Sequence, residues 1–291
     1  MASMSLPHVD SLVTYPNGTL SERSTVLFVT ARDDRLLIIT DSTPCHPVDP
    51  RWPDQGPDVG ALQFGGVSTP LLYCVIGATD GSALFVGDEV PVRRGEPGWS
   101  FLVVHVISAG GPVPAEGDEL TLSVDAAHRA ALSAGHTGCH VAALALNNAL
   151  ASRWRKPVSM DGLGRPDFDQ LAIVSSKIEP NGALDRYRIG RSLRKKGFDV
   201  EGLSQSLPVI TADANRQLSA WVATGAPVEI RISGPRLTDL REWVCTLPEG
   251  TQQIPCGGTH PRSLTEFEAV SVELAFDQTI SELMMTTRVR R

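Results

Sequence analysis

The stretch from Asp125 to Trp154 reads DAAHRAALSAGHTGCHVAALALNNALASRW and carries the longest helical pattern in the chain. It is rich in Ala and Leu, which favour helices, and its apolar residues recur at helical spacing. Asp125 suits the amino-terminal cap, and the Lys156-Pro157 step ends the run. The sequence therefore predicts one long helix here, with structure of a different kind before it.

Residues 1–122 predict an N-terminal β domain, which we expect to be a small barrel, with a sandwich as the alternative. Apolar runs interrupted by turn residues, such as STVLFVTARDDRLLIITDS and PLLYCVIGATDGSALFVGDEV, are typical of β-hairpins. Between them lies TPCHPVDPRWPDQGPDVGAL, which is too rich in Pro for regular structure. A long irregular loop inside a compact domain is usually functional, so this Pro-rich loop is a candidate for substrate contact.

Residues 123–291 predict a C-terminal α+β domain built around the long helix. Strands are expected in DFDQLAIVSSKI, ALDRYRIGRSL and PVEIRIS, and a helix is expected to end at Gly225. The segment LTDLREWV predicts a short helix, and the last two apolar runs predict an antiparallel pair. The whole chain is therefore expected to be α+β with two domains.

The composition limits where the protein works and what it binds. The chain has 291 residues and a formal net charge of −7, so a nucleic-acid partner must meet a local basic patch. Five widely spaced cysteines do not resemble a disulfide framework, which favours a reducing compartment. No apolar stretch approaches a membrane span and the N-terminus has no secretory pattern, so we expect a cytoplasmic protein without a membrane partner.

Two histidines on the long helix are candidate metal ligands. His136 and His140 are four residues apart, so both project from the same face and can bind one metal ion. The alternative is one histidine in the core and one in solvent. Gly135 and Gly138 beside them lower helix stability, roughly 1 kcal/mol each relative to Ala. We therefore expect another group to approach the helix backbone closely at this point.

A second pair of candidate ligands lies in the sequence IPCGGTHP. Cys256 and His260 are suited to Zn²⁺, and the two glycines between them allow a sharp turn. A buried cysteine beside an ordinary turn is the alternative for this segment alone. Together, His136, His140, Cys256 and His260 form a zinc ligand set divided between a helix and a distant loop, which favours an accessible catalytic site over a closed structural one.

The motifs HTGCH and PCGGTH resemble the editing domain of alanyl-tRNA synthetases. They resemble more closely the free-standing AlaX-type deacylases, which hydrolyse mischarged aminoacyl-tRNA in trans. Asp125 and Arg129 are similar to the family's Asp and Arg before the first His pair, and Asp167-Phe168 is similar to its Asp-Phe step.

The Pro-rich loop carries both a match and a departure. Asp58 and Gly60 fit the family's Asp-x-Gly, but the Gly triplet that precedes it in the family is missing. Ile254 occupies the position at which threonyl-tRNA synthetase editing domains carry an acidic residue, so the chain resembles the alanyl type there. The missing glycines leave the amino acid undecided among seryl-, glycyl- and threonyl-analogue-tRNA, fluorothreonyl-tRNA included.

The resemblance implies ester hydrolysis with Zn²⁺ as cofactor. Thr137 is expected to contact the substrate or a bound water, with helix bonding as the alternative. The backbone amides of Gly257, Gly258 and Thr259 are expected to face the substrate carbonyl or ribose. Substrate-binding residues are expected to be His46, Asp58 and Arg129, although Arg129 has a simpler role available in an ion pair with Asp125.

A tRNA partner requires basic groups, and three clusters offer them. The densest is RIGRSLRKKG, from which Arg191, Arg194, Lys195 and Lys196 are predicted to bind tRNA. The segment RWRKP offers Arg153, Arg155 and Lys156, with Trp154 available for stacking, and RVRR ends the chain. Two other functions remain open: a zinc hydrolase of a small ester or amide, and a structural zinc module.

Overall fold

The computed structural model describes residues 5–291 and divides the chain into two compact units. The first unit contains the chain up to Arg129, together with Ile232–Arg241 and Gly257–Thr259. The second unit contains Ala130–Arg231, Glu242–Cys256 and His260–Arg291. Two short segments from late in the sequence therefore belong to the first unit.

The first unit is built from β-strands. Its strands are β1 Leu12–Val13, β2 Ser21–Arg32, β3 Arg35–Thr40, β4 Ser42–Thr43, β5 Gly60–Phe64, β6 Val67–Pro70, β7 Tyr73–Thr79, β8 Leu84–Val86, β9 Ser100–Ser108 and β10 Glu119–Val124. Strands β1 and β4 form a short parallel pair, and the other eight form one sheet of order β6-β5-β10-β2-β3-β9-β7-β8. The hairpins β2–β3 and β7–β8 confirm the two that the sequence predicts.

The eight-stranded sheet is not closed, so the expected β-barrel is wrong. Strands β6 and β8 lie at its two edges and do not pair with each other among the described residues. Both edge strands are short, and β6 ends at Pro70, which lacks the N–H that a further strand would need. Strand β2 pairs with β10 through its first half and with β3 through its second, with an irregular register between Val26 and Phe28.

The apolar pattern of β3 explains the central position of this strand in the sheet. Its sequence RLLIIT is buried from Leu36 onward, so both faces of the strand are covered. Ile38 contributes to one apolar cluster with Phe101 and Leu122, whereas Ile39 contributes to another with Val104. A continuous apolar run of this kind is typical of a strand buried on both sides.

The second unit surrounds the long helix α1, Ala126–Ala149, whose first four residues belong to the first unit. The other helices are α2 Phe168–Ala172, α3 Arg191–Lys195 and α4 Leu203–Thr224; the strands are β11 Ile173–Glu179, β12 Gly182–Arg188, β13 Val228–Ile232, β14 Arg241–Leu247, β15 Gly250–Pro255, β16 Ala269–Asp277 and β17 Glu282–Arg290. These strands form a four-stranded antiparallel sheet of order β11-β12-β17-β16 and a three-stranded sheet of order β13-β14-β15.

The structure corrects three local predictions in this unit. The strand expected in ALDRYRIGRSL ends at Arg188, and the last three residues of that segment belong to α3. The segment LTDLREWV does not form a helix: β14 begins at Arg241, and Trp243 is fully buried in the apolar core. The segment DFDQLAIVSSKI begins with a helical turn before its strand, because Asp167 caps α2 by accepting a hydrogen bond from the Gln170 N–H. The predicted helix end at Gly225 is confirmed, with that residue at φ 62°.

The glycines of α1 allow the four-stranded sheet to approach the helix closely. A Cβ at Gly135 would lie 2.3 Å from the carbonyl oxygen of Glu179 and 2.5 Å from that of Gly182. A Cβ at Gly138 would lie 2.5 Å from a methyl group of Val289. The expected close approach is confirmed, and the approaching group is the sheet of the same unit.

Candidate metal centre

Helix α1 and the segment after β15 bring four metal-binding side chains together in the second unit. The ligand atoms of His136, His140, Cys256 and His260 all lie within 4.8 Å of one another. The Cys256 Sγ is 3.4 Å from His136 Nε2 and 3.2 Å from His260 Nε2. The predicted meeting of the two ligand pairs, 120 residues apart in the chain, is confirmed, and this group can hold a metal ion.

His140 provides an independent test of whether a metal ion fits. Its Nε2 is buried and has no hydrogen-bond partner within residues 5–291. Leaving a buried polar atom unpaired costs on the order of 1–3 kcal/mol, and coordination to a metal would remove that cost. Burial lowers the pKa of His140 well below its ordinary 6.5, and the neighbouring His136 lowers it further, so the ring is neutral as a ligand must be.

The rings around the ligands form a compact aromatic group. The His136 and His260 rings have centroids 4.4 Å apart, and the His140 ring lies 4.9 Å from that of Trp243. His136 is 2% exposed, whereas the other three ligands are partly exposed. The cluster is therefore partly accessible at three of its four side chains.

Thr137 lies behind one ligand and is completely buried. Its Oγ1 is 2.9 Å from His260 Nδ1 and accepts a hydrogen bond from the Trp243 Nε1–H at 3.3 Å. If the Nδ1–H of His260 donates to this oxygen, the Nε2 facing Cys256 carries no proton and can bind a metal. The contact thus holds the orientation of the His260 ring.

A polar cluster that the sequence does not reveal lies on another side of α1. The Cys139 thiol donates to Asp185 at 3.4 Å, and the Tyr187 hydroxyl donates to Asp169 at 2.9 Å. Burial raises the pKa of Asp185 to about 6, although hydrogen bonds from Ser176 and Cys139 oppose the shift. Burial, followed by the Asp185 charge, raises the pKa of Asp169 to about 7. Buried and exposed residues alternate along β12, so Asp185 and Tyr187 both face inward. This alternation is the feature of the sequence from which the cluster could have been predicted.

Arg129 and Asp58 form a buried ion pair in the first unit. The Arg129 Nε donates to Asp58 at 2.7 Å, and its Nη2 donates to the Pro44 carbonyl at 2.7 Å. Asp125 instead accepts from the His128 N–H and caps α1, so Arg129 pairs with Asp58 rather than with Asp125. The described residues 44–59 form neither helix nor strand, as predicted, and this pair fixes both ends of the loop.

His46 is buried in the same loop. Its backbone N–H donates to Asp58 at 2.5 Å, and its ring packs edge-on against Tyr15. Burial lowers the pKa of His46 to about 4, although the Asp58 charge opposes the shift. The side chain is therefore neutral at pH 7, and its expected contact with substrate stays a prediction.

The glycine segment between the two late ligands belongs to the first unit. Thr259 is held there by Gln55, whose Nε2 donates to Thr259 Oγ1 at 3.0 Å and whose Oε1 accepts the Thr259 N–H at 3.1 Å. Sequence reasoning missed Gln55, since its only signal is a place in the Pro-rich loop. The roles expected of Gly257, Gly258 and Thr259 toward a substrate stay predictions.

The residues predicted to bind tRNA lie on and just after α3. Arg191, Arg194, Lys195 and Lys196 are all exposed, whereas Leu193 of the same helix is buried in the core. Their charges are therefore available to a partner.

Comparisons with known proteins add no family to this geometry. No family model matches the chain, and no curated protein matches it significantly. Within residues 5–291, no helix has both the length and the apolar character needed to cross a membrane. The motifs and the metal-binding group are therefore the basis for a functional proposal.

Proposed function

We propose that the chain is a zinc-dependent aminoacyl-tRNA deacylase that acts in trans, of the AlaX type. The observation that carries the proposal is the cluster of three imidazoles and one thiol, with a buried His140 nitrogen that has no other partner among the described residues. Nitrogen and sulfur donors of this kind favour Zn²⁺. When bound there, zinc supplies a coordinated water of lowered pKa and polarises a carbonyl, as ester hydrolysis requires.

In this proposal the four candidate ligands and Thr137 have different roles. His136, His140 and His260 would hold the metal, and Cys256 would either complete the set of ligands or be displaced to open a position for water. Thr137 acts as a positioning residue through His260. Substrates would be seryl-, glycyl- or threonyl-analogue-tRNA, fluorothreonyl-tRNA among them, in the cytoplasm.

The test is hydrolysis of aminoacyl-tRNA by the zinc-loaded protein. We expect a panel of mischarged tRNAs to include one that is deacylated, and we expect His136→Ala to abolish that activity. His128→Ala is the matched control, because His128 lies on the same helix outside the cluster. If free aminoacyl esters are cleaved and no aminoacyl-tRNA is, the protein is a small-molecule hydrolase.

A structural zinc module is the second candidate, because four protein donors can fill a tetrahedral shell. This function predicts zinc binding without hydrolysis of any ester. It also predicts that Cys256→Ser lowers thermal stability in zinc. The deacylase proposal predicts that the same variant changes hydrolysis as well.

A further inference from the structure

Two basic segments of the second unit, more than thirty residues apart in the sequence, lie side by side. Trp154 and Phe198 form an antiparallel bridge. The Arg155 N–H donates to the Gly197 carbonyl at 2.9 Å, and the Asp199 N–H donates to the Arg153 carbonyl at 2.8 Å. The sequence shows the two segments as separate clusters, whereas the fold joins them.

Gly197 makes this close packing possible. Its φ is 102°, and a Cβ there would lie 2.9 Å from the Cβ and Cγ of Lys156. The Lys156 Nζ in turn donates to the Lys195 carbonyl at 3.2 Å. Backbone and side-chain contacts thus hold the two segments in one arrangement.

The joined segments form a continuous cationic surface, here called the paired basic surface. Its members are all exposed: Arg155, Lys156, Arg191, Arg194, Lys195 and Lys196. The carboxylates within residues 153–156 and 191–201 are Asp199 and Glu201, and Asp199 pairs with Arg155. This local excess of positive charge stands out in a chain whose net charge is −7.

The chemistry of the surface fits phosphates of a nucleic-acid backbone better than unpaired bases. Trp154, its aromatic residue, is half-buried, packs against the apolar core and contacts Phe198 edge-on with centroids 5.2 Å apart, so it is not an exposed platform for stacking. Binding of single strands relies on exposed aromatic faces, whereas double-stranded RNA is recognised through phosphates and shape. The inward-facing Leu193 leaves α3 no apolar face for a membrane.

The position of the surface suits a substrate that reaches the metal centre. His140 lies on α1, which ends at Ala149 and is followed by the turn Ala151–Arg153. At 1.5 Å per residue the helix covers about 14 Å from His140 to Ala149, and the basic segment begins just after that end. The paired basic surface thus lies in the same unit as the ligand cluster and follows the carboxyl end of the helix that carries His136 and His140.

From these observations we infer that the paired basic surface binds the phosphate backbone of double-helical RNA. This inference rests on the proposed function for its identification of the duplex as the acceptor stem of tRNA. The contacts that join the two segments, and the charge excess, stand independently of that function.

The experiment measures binding of unacylated bulk tRNA by fluorescence anisotropy at several salt concentrations. Two double variants, Arg155→Glu with Lys156→Glu and Lys195→Glu with Lys196→Glu, each probe one segment. We expect each to weaken binding at least about tenfold and to lower the slope of log K against log salt by about 0.7–0.9 for every phosphate that the protein no longer neutralises. Arg216→Glu with Arg231→Glu makes the same charge change on exposed residues elsewhere in the unit and should leave binding within about twofold.

Three results would overturn the inference. The first is tRNA binding unchanged in both double variants. The second is tighter binding of a single-stranded RNA than of a short RNA hairpin. The third is surface-dependent binding of phosphatidylserine–phosphatidylcholine vesicles without binding of RNA. Hydrolysis of aminoacyl-tRNA by the parent protein separates the two proposals. If the parent binds tRNA through the paired basic surface but deacylates no aminoacyl-tRNA of the panel, only the deacylase proposal fails.

Discussion

Thr137 shows how a single buried hydroxyl can determine the state of a metal ligand. Its oxygen contacts His260 Nδ1 and the Trp243 indole, and it is completely buried on the helix that carries His136 and His140. A hydrogen bond at one ring nitrogen of a histidine fixes the tautomer and leaves the other nitrogen for the metal. The side chain is placed to orient His260 as a ligand for a metal ion that the cluster could hold.

We predict that Thr137→Val lowers zinc affinity by about 10- to 100-fold, because the His260 ring loses its orienting partner while the volume is kept. Thr137→Ser retains the hydroxyl and should bind zinc nearly as tightly as the parent. Titration against a competing chelator measures both. Equal affinities for the Val variant and the parent would show that Thr137 serves only to pack the helix.

Helix α1, which has 24 residues, carries the candidate metal ligands and the glycines that pack against the sheet. One face carries His136 and His140, while Gly135 and Gly138 lie against the four-stranded sheet. The glycines reduce intrinsic helix stability, and close packing on the sheet offsets that loss. The helix is therefore stabilised by tertiary contacts at the point where its propensity is weakest.

We expect Gly135→Ala to lower the free energy of unfolding by about 1–3 kcal/mol, although Ala is intrinsically the better helix former. The new Cβ would meet backbone oxygens of Glu179 and Gly182, which cannot move without distorting the hairpin. Gly138→Ala should cost less, since it meets a methyl group of Val289. Urea unfolding compares the two, and a Gly135→Ala protein as stable as the parent would contradict this account of the packing.

Much of the local structure of the chain can be predicted from its sequence, whereas several of the tertiary contacts cannot. The 3.6-residue period predicts α1, and alternation around turns predicts the hairpins β2–β3 and β7–β8. The helix predicted for residues 237–244 is wrong because Trp243 is buried by tertiary packing, which overrides the local helical pattern. The sequence offers Arg129 a substrate-binding role or an ion pair with Asp125 on its own helix, and only the fold brings Asp58 to it.

At the scale of the whole molecule, the ligands of the metal centre come from segments 120 residues apart. A metal that binds all four of them stabilises the folded chain by mass action, about 4 kcal/mol when its free concentration is about 1,000 times the dissociation constant.

The five cysteines differ in exposure: Cys256 is half-exposed, and the other four are buried. A hydrogen bond from Cys74 lowers the pKa of Cys45 to about 5, but its complete burial denies access to reagents.

Because Cys256 is half-exposed and the other four cysteines are buried, we predict that iodoacetamide modifies only Cys256 in the native, metal-free protein. We also predict that zinc prevents this reaction. Peptide mass spectrometry after a timed exposure identifies the labelled thiol. In His140→Ala, zinc should protect Cys256 much less, since one of the four ligands is removed. Rapid labelling of Cys256 in saturating zinc would mean that the thiol does not bind the metal.

The sequence by itself determined the identity of the four candidate ligands, the helix that carries two of them, and most of the strands. Helical period, strand alternation and ligand chemistry are local properties, so they can be read from residue order. Only the tertiary structure decided that the eight-stranded sheet stays open, that Thr137 orients His260, and that two basic segments form one surface. Each of these depends on contacts between distant segments, which packing of the core determines and no local pattern encodes.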